Sequence, residues 1–115
     1  MTVTIYHNPR CSKSRATLAL LQERGLTPTV VEYLQDPPDA NALRTILGQL
    51  GLTAAELMRT GEDDYKSARD RINAMDNDQQ IEWLTRHPRV IERPIVVTPK
   101  GARIGRPPEN VLEII

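Results

Sequence analysis

The first third of the chain alternates between short apolar runs and a helical pattern. Residues 3–6 form an apolar run typical of a strand, and the turn former Asn8 ends it. Leu18 and Leu21 then favour an amphipathic helix, and the β-branched residues 29–33 predict a second strand. Because strand–helix–strand connections are right-handed, we expect these two strands to lie parallel.

The middle of the chain is helical in pattern. Asp39 can cap a helix that ends at Gly51, with apolar residues at i, i+3, i+4 and i+7. These apolar residues are Leu43, Ile46, Leu47 and Leu50. Residues 53–56 (TAAE) match a capping box and so predict another, shorter helix.

Two further segments complete this helical part. Residues 61–75 are charged and poor in large apolar side chains, so we expect a loop or a loosely docked helix there. Asp76 or Asn77 can cap a helix with Ile81 and Leu84 facing inward.

The last third changes from helical to strand-type patterns. Residues 95–97 form a buried-strand run, residues 98–101 are turn formers, and residues 102–104 supply a second arm, which together predict a β-hairpin. A closing helix is expected over residues 109–115. The order is β-α-β, a helical insertion at about 39–87, then β-β-α, which predicts a single α/β domain over residues 1–115.

The composition narrows the possible functions. Lys plus Arg and Asp plus Glu number 15 each in 115 residues, so no net field favours nucleic acid or an anionic membrane. No apolar run is long enough for a membrane span, and the N-terminus does not resemble a signal peptide. We therefore expect a cytoplasmic protein that binds neither nucleic acid nor membrane. We also expect a monomer.

The only cysteine, Cys11, lies where the first strand gives way to the first helix. Ser12 or Ser14 is a candidate N-cap there. Backbone N–H groups at a helix start and neighbouring cations lower a cysteine pKa, which favours a reactive thiolate. The alternative is a small buried apolar residue. Cys11, His7 and His87 do not form a recognisable metal-ligand spacing, so we expect no metal.

Two Arg-Pro pairs flank the predicted hairpin. Proline restricts the backbone of the residue before it, so Arg93 and Arg106 are each presented from a fixed position. A guanidinium offers a planar set of donors suited to an oxyanion, and both could reach the region over Cys11. Arg59 could supply a third. The alternative for each is a solvated arginine, or a pair with an acid such as Glu92.

Three segments together closely resemble the glutathione- and glutaredoxin-coupled arsenate reductases of the ArsC family. They are residues 5–15 (IYHNPRCSKSR), 93–97 (RPIVV) and 105–109 (GRPPE), and the resemblance extends over nearly the whole chain. It implies a thioredoxin-like fold with a mixed four-stranded sheet and a helical insertion. In that fold Pro94 would be the cis-proline that faces the nucleophile.

The resemblance also implies a role for each site residue. Cys11 would be the nucleophile that attacks arsenate, His7 would help to set its pKa, and Ser14 would hydrogen-bond near the sulfur. The arginines implied to bind the oxyanion and its adducts are Arg59, Arg93 and Arg106. Without the resemblance, His7 would be interpreted as a neutral residue at a strand end.

The implied reaction needs a second thiol. Cys11 would form a covalent adduct with arsenate, and because the chain has one cysteine, glutathione would act as co-substrate. Glutaredoxin would complete the reduction to arsenite, and no cofactor would stay bound. One alternative is a monothiol glutaredoxin-like oxidoreductase, for which Cys-x-x-Ser at residues 11–14 suffices. Another is an Spx-like transcriptional regulator, although the chain lacks the second cysteine of the usual disulfide switch.

Overall fold

The computed structural model describes residues 1–115, which form two compact units. The sheet unit combines Met1–Asp36 with Arg93–Ile115, and the helical unit is Pro37–Glu92. The helical unit contains the insertion expected at about 39–87 and extends past it at both ends. Organisation as a single domain stays a prediction.

The sheet unit contains four strands in the order β2-β1-β3-β4. The strands are β1 (Thr4–Tyr6), β2 (Thr29–Val31), β3 (Ile95–Thr98) and β4 (Gly101–Ile104). The central strand β1 pairs in parallel with β2 and antiparallel with β3, so that Ile5 lies opposite Val30 on one side and Val96 on the other. The β3–β4 pair is an antiparallel hairpin. The predicted parallel pair, the hairpin and the mixed four-stranded sheet are therefore confirmed.

Two helices share the apolar core of this unit. Helix α1 (Ser12–Glu23) buries Leu21, and the closing segment forms a helix over Pro108–Ile114. The closing helix is of the 3₁₀ type, and its 7 residues make it longer than most helices of that type. The core side chains are Val3, Ile5, Leu21, Val96, Val111 and Ile114.

Helix α2 (Ala40–Leu50) of the helical unit begins and ends as its sequence predicts. The Asp39 carboxylate accepts a hydrogen bond from the Ala42 N–H at 2.8 Å. Gly51 ends the helix at φ 71°, a left-handed conformation that glycine adopts without a steric penalty. Leu43, Ile46 and Leu47 are buried.

Of the two alternatives expected for residues 61–75, a loop or a loosely docked helix, the helix is observed, and α3 runs regularly from Asp63 to Asn73. The same charges that suggested a loop stabilise the helix. Acidic residues occupy the first turn and Arg71 the last, which matches the helix dipole. Only Ala68 and Ile72 are buried, so the apolar pattern was too sparse to decide between a loop and a helix.

Helix α4 (Asn77–Arg86) starts at a capping box in which Asp76 and Gln79 each accept the other's backbone N–H. Trp83 is buried and its ring stacks on His87, with the ring centroids 4.1 Å apart. Before α3, a single 3₁₀ turn over Ala55–Leu57 follows the predicted capping box. None of the helices combines the length and apolar character that a membrane crossing requires.

Candidate active site

The loop between β1 and α1 is held by short backbone hydrogen bonds. The His7 N–H donates to the Val31 carbonyl at 2.8 Å, which ties the loop to β2. The Asn8 backbone carbonyl accepts a hydrogen bond from the Cys11 N–H at 3.0 Å. The side-chain Oδ1 of Asn8 accepts one from the Arg10 N–H at 3.0 Å. These bonds close a tight turn that delivers Cys11 to the start of α1.

Cys11 is itself the N-cap residue of α1, with extended φ and ψ of −94° and 124°. The candidate caps Ser12 and Ser14 are therefore wrong, since the helix begins at Ser12 and Ser14 lies two residues further in. Cys11 is buried, at 8% exposure. Because Cys11 is the N-cap, it lies at the positive end of the helix dipole, where backbone N–H groups lack partners within the helix.

The pKa of the Cys11 thiol is lowered from its ordinary value. Burial is the largest single influence and raises the pKa, because it disfavours the charged thiolate. It is outweighed by the backbone N–H of Ser14, the Arg93 guanidinium and the backbone N–H of Lys13, all of which stabilise the thiolate. The site therefore favours a nucleophilic sulfur.

Both Arg-Pro arginines lie in the sheet unit, close to this sulfur. Arg106 donates from Nη2 to Cys11 Sγ at 3.4 Å, and from Nε to the Arg93 carbonyl at 2.8 Å. Arg93 also acts on this sulfur and lowers its pKa, through hydrogen bonding and through its positive charge. The peptide bonds that precede Pro94 and Pro107 are both cis. Residues 11, 93 and 106 thus form one cationic site around a thiolate.

His7 and Ser14 form a buried pair beside the nucleophile. His7 Nδ1 and Ser14 Oγ are 2.6 Å apart, and Ser14 Oγ also accepts the Asn8 N–H at 3.0 Å. Burial lowers the pKa of His7, while Glu32 acts in the opposite direction and Arg15 adds to the lowering. The imidazole is therefore neutral at pH 7, and Ser14 connects it to the turn that carries Cys11.

Arg59 lies in the helical unit and has carboxylate partners. Its Nη1 is 2.7 Å from Glu92 Oε1, and its Nε is 3.5 Å from Glu62 Oε1. The pairing with a nearby acid that we considered for the arginines is observed here. Arg103 likewise pairs with Glu113, at 3.1 Å.

Two residues to which the sequence assigned no role, Thr17 and Gly105, contact this site. Thr17 is fully buried on α1, where its hydroxyl lies 2.8 Å from the Lys13 carbonyl and 3.4 Å from the Gly105 carbonyl. Gly105 directly precedes Arg106. A glycine next to a candidate oxyanion ligand was a signal available in the sequence. No group of three or more His, Cys, Asp or Glu side chains is arranged to hold a metal ion.

Known proteins resemble this chain over almost its full length. The arsenate reductase of Neisseria meningitidis strain Z2491 is 45% identical over 114 residues, covering 98% of this chain and 97% of its own. The uncharacterized protein YfgD of Escherichia coli K12 is 53% identical, with coverages of 98% and 96%. The solved structure of an arsenate reductase from Vibrio cholerae is 46% identical and superposes with a TM-score of 0.94, covering 100% of this chain and 98% of that one.

These comparisons confirm the thioredoxin-like fold that the sequence resemblance implied. The family model of the ArsC family matches residues 6–114, which include the nucleophile loop, the helical unit and both Arg-Pro pairs. From this match and the relatives that share almost the whole length, the chain belongs to the ArsC family.

Proposed function

We propose that the protein is an arsenate reductase in which Cys11 attacks arsenate, and that glutathione and glutaredoxin complete the reduction. The observation that carries this proposal is the Arg106 Nη2 to Cys11 Sγ contact of 3.4 Å at the N-cap of α1. A nucleophile and an anion-binding cation lie together, and relatives of similar length bear the name arsenate reductase.

The first step makes a bond without changing the oxidation state of arsenic. The Cys11 thiolate attacks arsenate, a sulfur–arsenic bond forms, and one arsenic–oxygen bond breaks with the oxygen leaving as water after protonation. The guanidinia of Arg93 and Arg106 and the N-terminus of α1 stabilise the negative charge on the remaining oxygens.

The second step transfers two electrons and needs two thiols from other molecules, because the single cysteine of the chain is already bonded to arsenic. Glutathione adds to the arsenic of the adduct, and water leaves. The glutaredoxin thiolate then attacks the glutathione sulfur, so two thiols become one mixed disulfide as arsenic(V) becomes arsenic(III). Hydrolysis of the remaining sulfur–arsenic bond releases arsenite and restores the Cys11 thiol.

A cavity beside the loop between β1 and α1 is a candidate site for the amino-acid end of glutathione. Its volume is about 150 Å³, and its walls include His7, Arg10, Glu32 and Gln35. The amino-acid end of glutathione carries both an ammonium and a carboxylate. A wall with one cation and one carboxylate is complementary to that pair of charges.

Arg59 is retained in the proposal as a third oxyanion ligand. Its guanidinium already contacts Glu92 and Glu62, so an anion has to compete with two carboxylates for it. We therefore assign Arg59 a smaller share of the binding than Arg93 and Arg106.

The alternative that a specific observation favours is a monothiol oxidoreductase acting on glutathione mixed disulfides. Residues 11–14 have the Cys-x-x-Ser pattern, and the Ser14 N–H stabilises the Cys11 thiolate. This chemistry requires no oxyanion. The presence of two arginines at the sulfur favours arsenate.

A coupled assay tests the proposal. Purified protein is mixed with glutathione, glutaredoxin, its NADPH-dependent reductase and arsenate, and NADPH consumption is followed together with arsenite formation. We expect arsenate-dependent turnover that Cys11→Ser abolishes and Gly48→Ala retains, because a Cβ at Gly48 meets no atom within 4 Å. Turnover no greater than that of Cys11→Ser contradicts the proposal, and turnover only with a glutathione mixed disulfide favours the alternative.

A further inference from the structure

Gly105 occupies a position where no side chain fits. A Cβ there would lie 2.9 Å from Pro94 Cγ and 3.0 Å from Thr17 Cγ2, and nearer still to Thr17 Oγ1. Carbon atoms do not approach so closely without a shift of the backbone or its neighbours. Gly48 shows the opposite case, since a Cβ there meets open space.

This close approach fixes the backbone on both sides of Gly105. Its N–H donates to the Pro94 carbonyl at 3.0 Å, and its own carbonyl lies 3.4 Å from the Thr17 hydroxyl. Thr17 is fully buried on α1, the helix that Cys11 caps. Gly105 is therefore held between Thr17, in the middle of the helix that Cys11 caps, and Pro94.

The residue held by this arrangement is Arg106. Its Nη2 reaches Cys11 Sγ at 3.4 Å, a contact that a backbone shift of a few tenths of an ångström would lengthen or misalign. Small misplacements of binding groups have large effects on reactivity.

We infer that Gly105 and Thr17 are positioning residues, which set the distance between the Arg106 guanidinium and the Cys11 sulfur. The bare backbone of Gly105 rests against Thr17, so the helix that carries the nucleophile also places its cation. The part of this inference that concerns anion binding rests on the proposed function, whereas the coupling to Cys11 stands on the geometry alone.

The test follows iodoacetamide alkylation of Cys11 at pH 6.5, with and without sulfate as the anion. Gly105→Ala is expected to slow alkylation and to weaken sulfate protection about tenfold, by nearly as much as Arg106→Ala. The double substitution Gly105→Ala with Arg106→Ala is expected to add little to either single change. Additive effects, or an unchanged reaction in a folded Gly105→Ala protein, overturn the inference.

A compensating change separates positioning from loss of structure. Thr17→Ala removes two of the three atoms that a new Cβ would meet, so adding it to Gly105→Ala should recover part of the lost reactivity. No recovery contradicts the assignment of Thr17. Thr45 also directs its hydroxyl to the carbonyl four residues earlier, at 3.1 Å, which makes Thr45→Ala the matched control.

Two further outcomes of these experiments also decide the inference. If Gly105→Ala does not fold, Thr17→Ala alone is measured, and it should reduce alkylation and sulfate protection while Thr45→Ala does not. A Thr17→Ala protein indistinguishable from Thr45→Ala then overturns the inference. If sulfate fails to protect the wild type, the oxyanion part of the proposed function fails, and the alkylation rates without anion still decide the positioning of Arg106.

Discussion

The two units hold their arginines in opposite electrostatic settings. In the sheet unit, Arg106 donates to a sulfur whose pKa is lowered, and Arg93 contributes to that lowering. In the helical unit, Arg59 lies 2.7 Å from Glu92 and 3.5 Å from Glu62. The first setting stabilises a thiolate and suits an incoming anion. The second largely neutralises the cation within its own unit.

This difference shows that the charges next to an arginine decide whether its guanidinium is available to bind an anion. Arg93 and Arg106 were inferred from their Arg-Pro setting and from the resemblance, and chain topology brings both to Cys11. Arg59 has no Arg-Pro setting, and it was inferred from its place after a short predicted helix and from the resemblance. Its carboxylate partners Glu92 and Glu62 are 33 and 3 residues away along the chain.

The largest effect is expected from Arg93→Ala. Removing this guanidinium takes away a hydrogen bond and a positive charge from the thiolate, so the pKa of Cys11 rises. Alkylation at pH 6.5 should slow about tenfold, and arsenate turnover should fall roughly 10²-fold or more. Arg103→Ala, which removes an arginine from an exposed ion pair, is the control. Equal effects of the two changes would contradict the comparison.

The next effect concerns stability. Ser14 is fully buried, and its hydroxyl accepts the Asn8 N–H and bonds His7. Ser14→Ala leaves both groups without that partner and should lower the free energy of unfolding by about 1–3 kcal/mol. Ser67→Ala is the control, since Ser67 is exposed. Chemical denaturation measures the free energy of unfolding of both variants. A loss in Ser14→Ala no larger than that in Ser67→Ala would show that the His7–Ser14 pair does not stabilise the fold.

A smaller effect separates Arg59 from the other arginines. Because two carboxylates compete for it, Arg59→Ala should weaken sulfate protection of Cys11 only a few-fold, against about tenfold for Arg106→Ala. Glu92→Gln removes one competitor and should strengthen protection. Titration of the alkylation rate with sulfate measures all three. Stronger loss in Arg59→Ala than in Arg106→Ala would reverse the ranking of the two units.

The smallest effect is a pH dependence that belongs to the sheet unit. Burial holds the pKa of His7 below 6.5 in the folded protein, so below pH 6.5 the unfolded chain binds a proton that the folded one does not. Stability should fall as the pH drops from 6.5 through the folded pKa of His7. His7→Gln should flatten this fall in denaturation curves between pH 7 and 5. An unchanged slope would show that other groups cause it.

Local signals in the sequence predicted much of the fold. The caps Asp39 and Asp76, the hairpin and the parallel pair of strands each depend on residues close together in the chain. For helix α3 the sequence left a loop and a helix as alternatives, because only Ala68 and Ile72 are buried on it. Its charged first and last turns stabilise it without producing an apolar pattern.

The site was less accessible to sequence reasoning. A strand-to-helix junction and nearby cations identified Cys11 as a reactive thiol, but the N-cap itself was misassigned to a serine. The contact of Thr17 with Gly105 joins residues 88 positions apart, and no local pattern encodes it. Such packing depends on how closely the backbone of Gly105 approaches Thr17, and the only trace of it in the sequence is the glycine itself.

The most direct test of the account is the pH dependence of Cys11 alkylation in the wild-type protein, measured with and without arsenate. We expect an apparent pKa below the ordinary cysteine value of 9.0, and we expect arsenate to slow the reaction by occupying the site of Arg93 and Arg106. An ordinary thiol pKa without protection by arsenate would contradict it and leave Cys11 as a buried apolar residue.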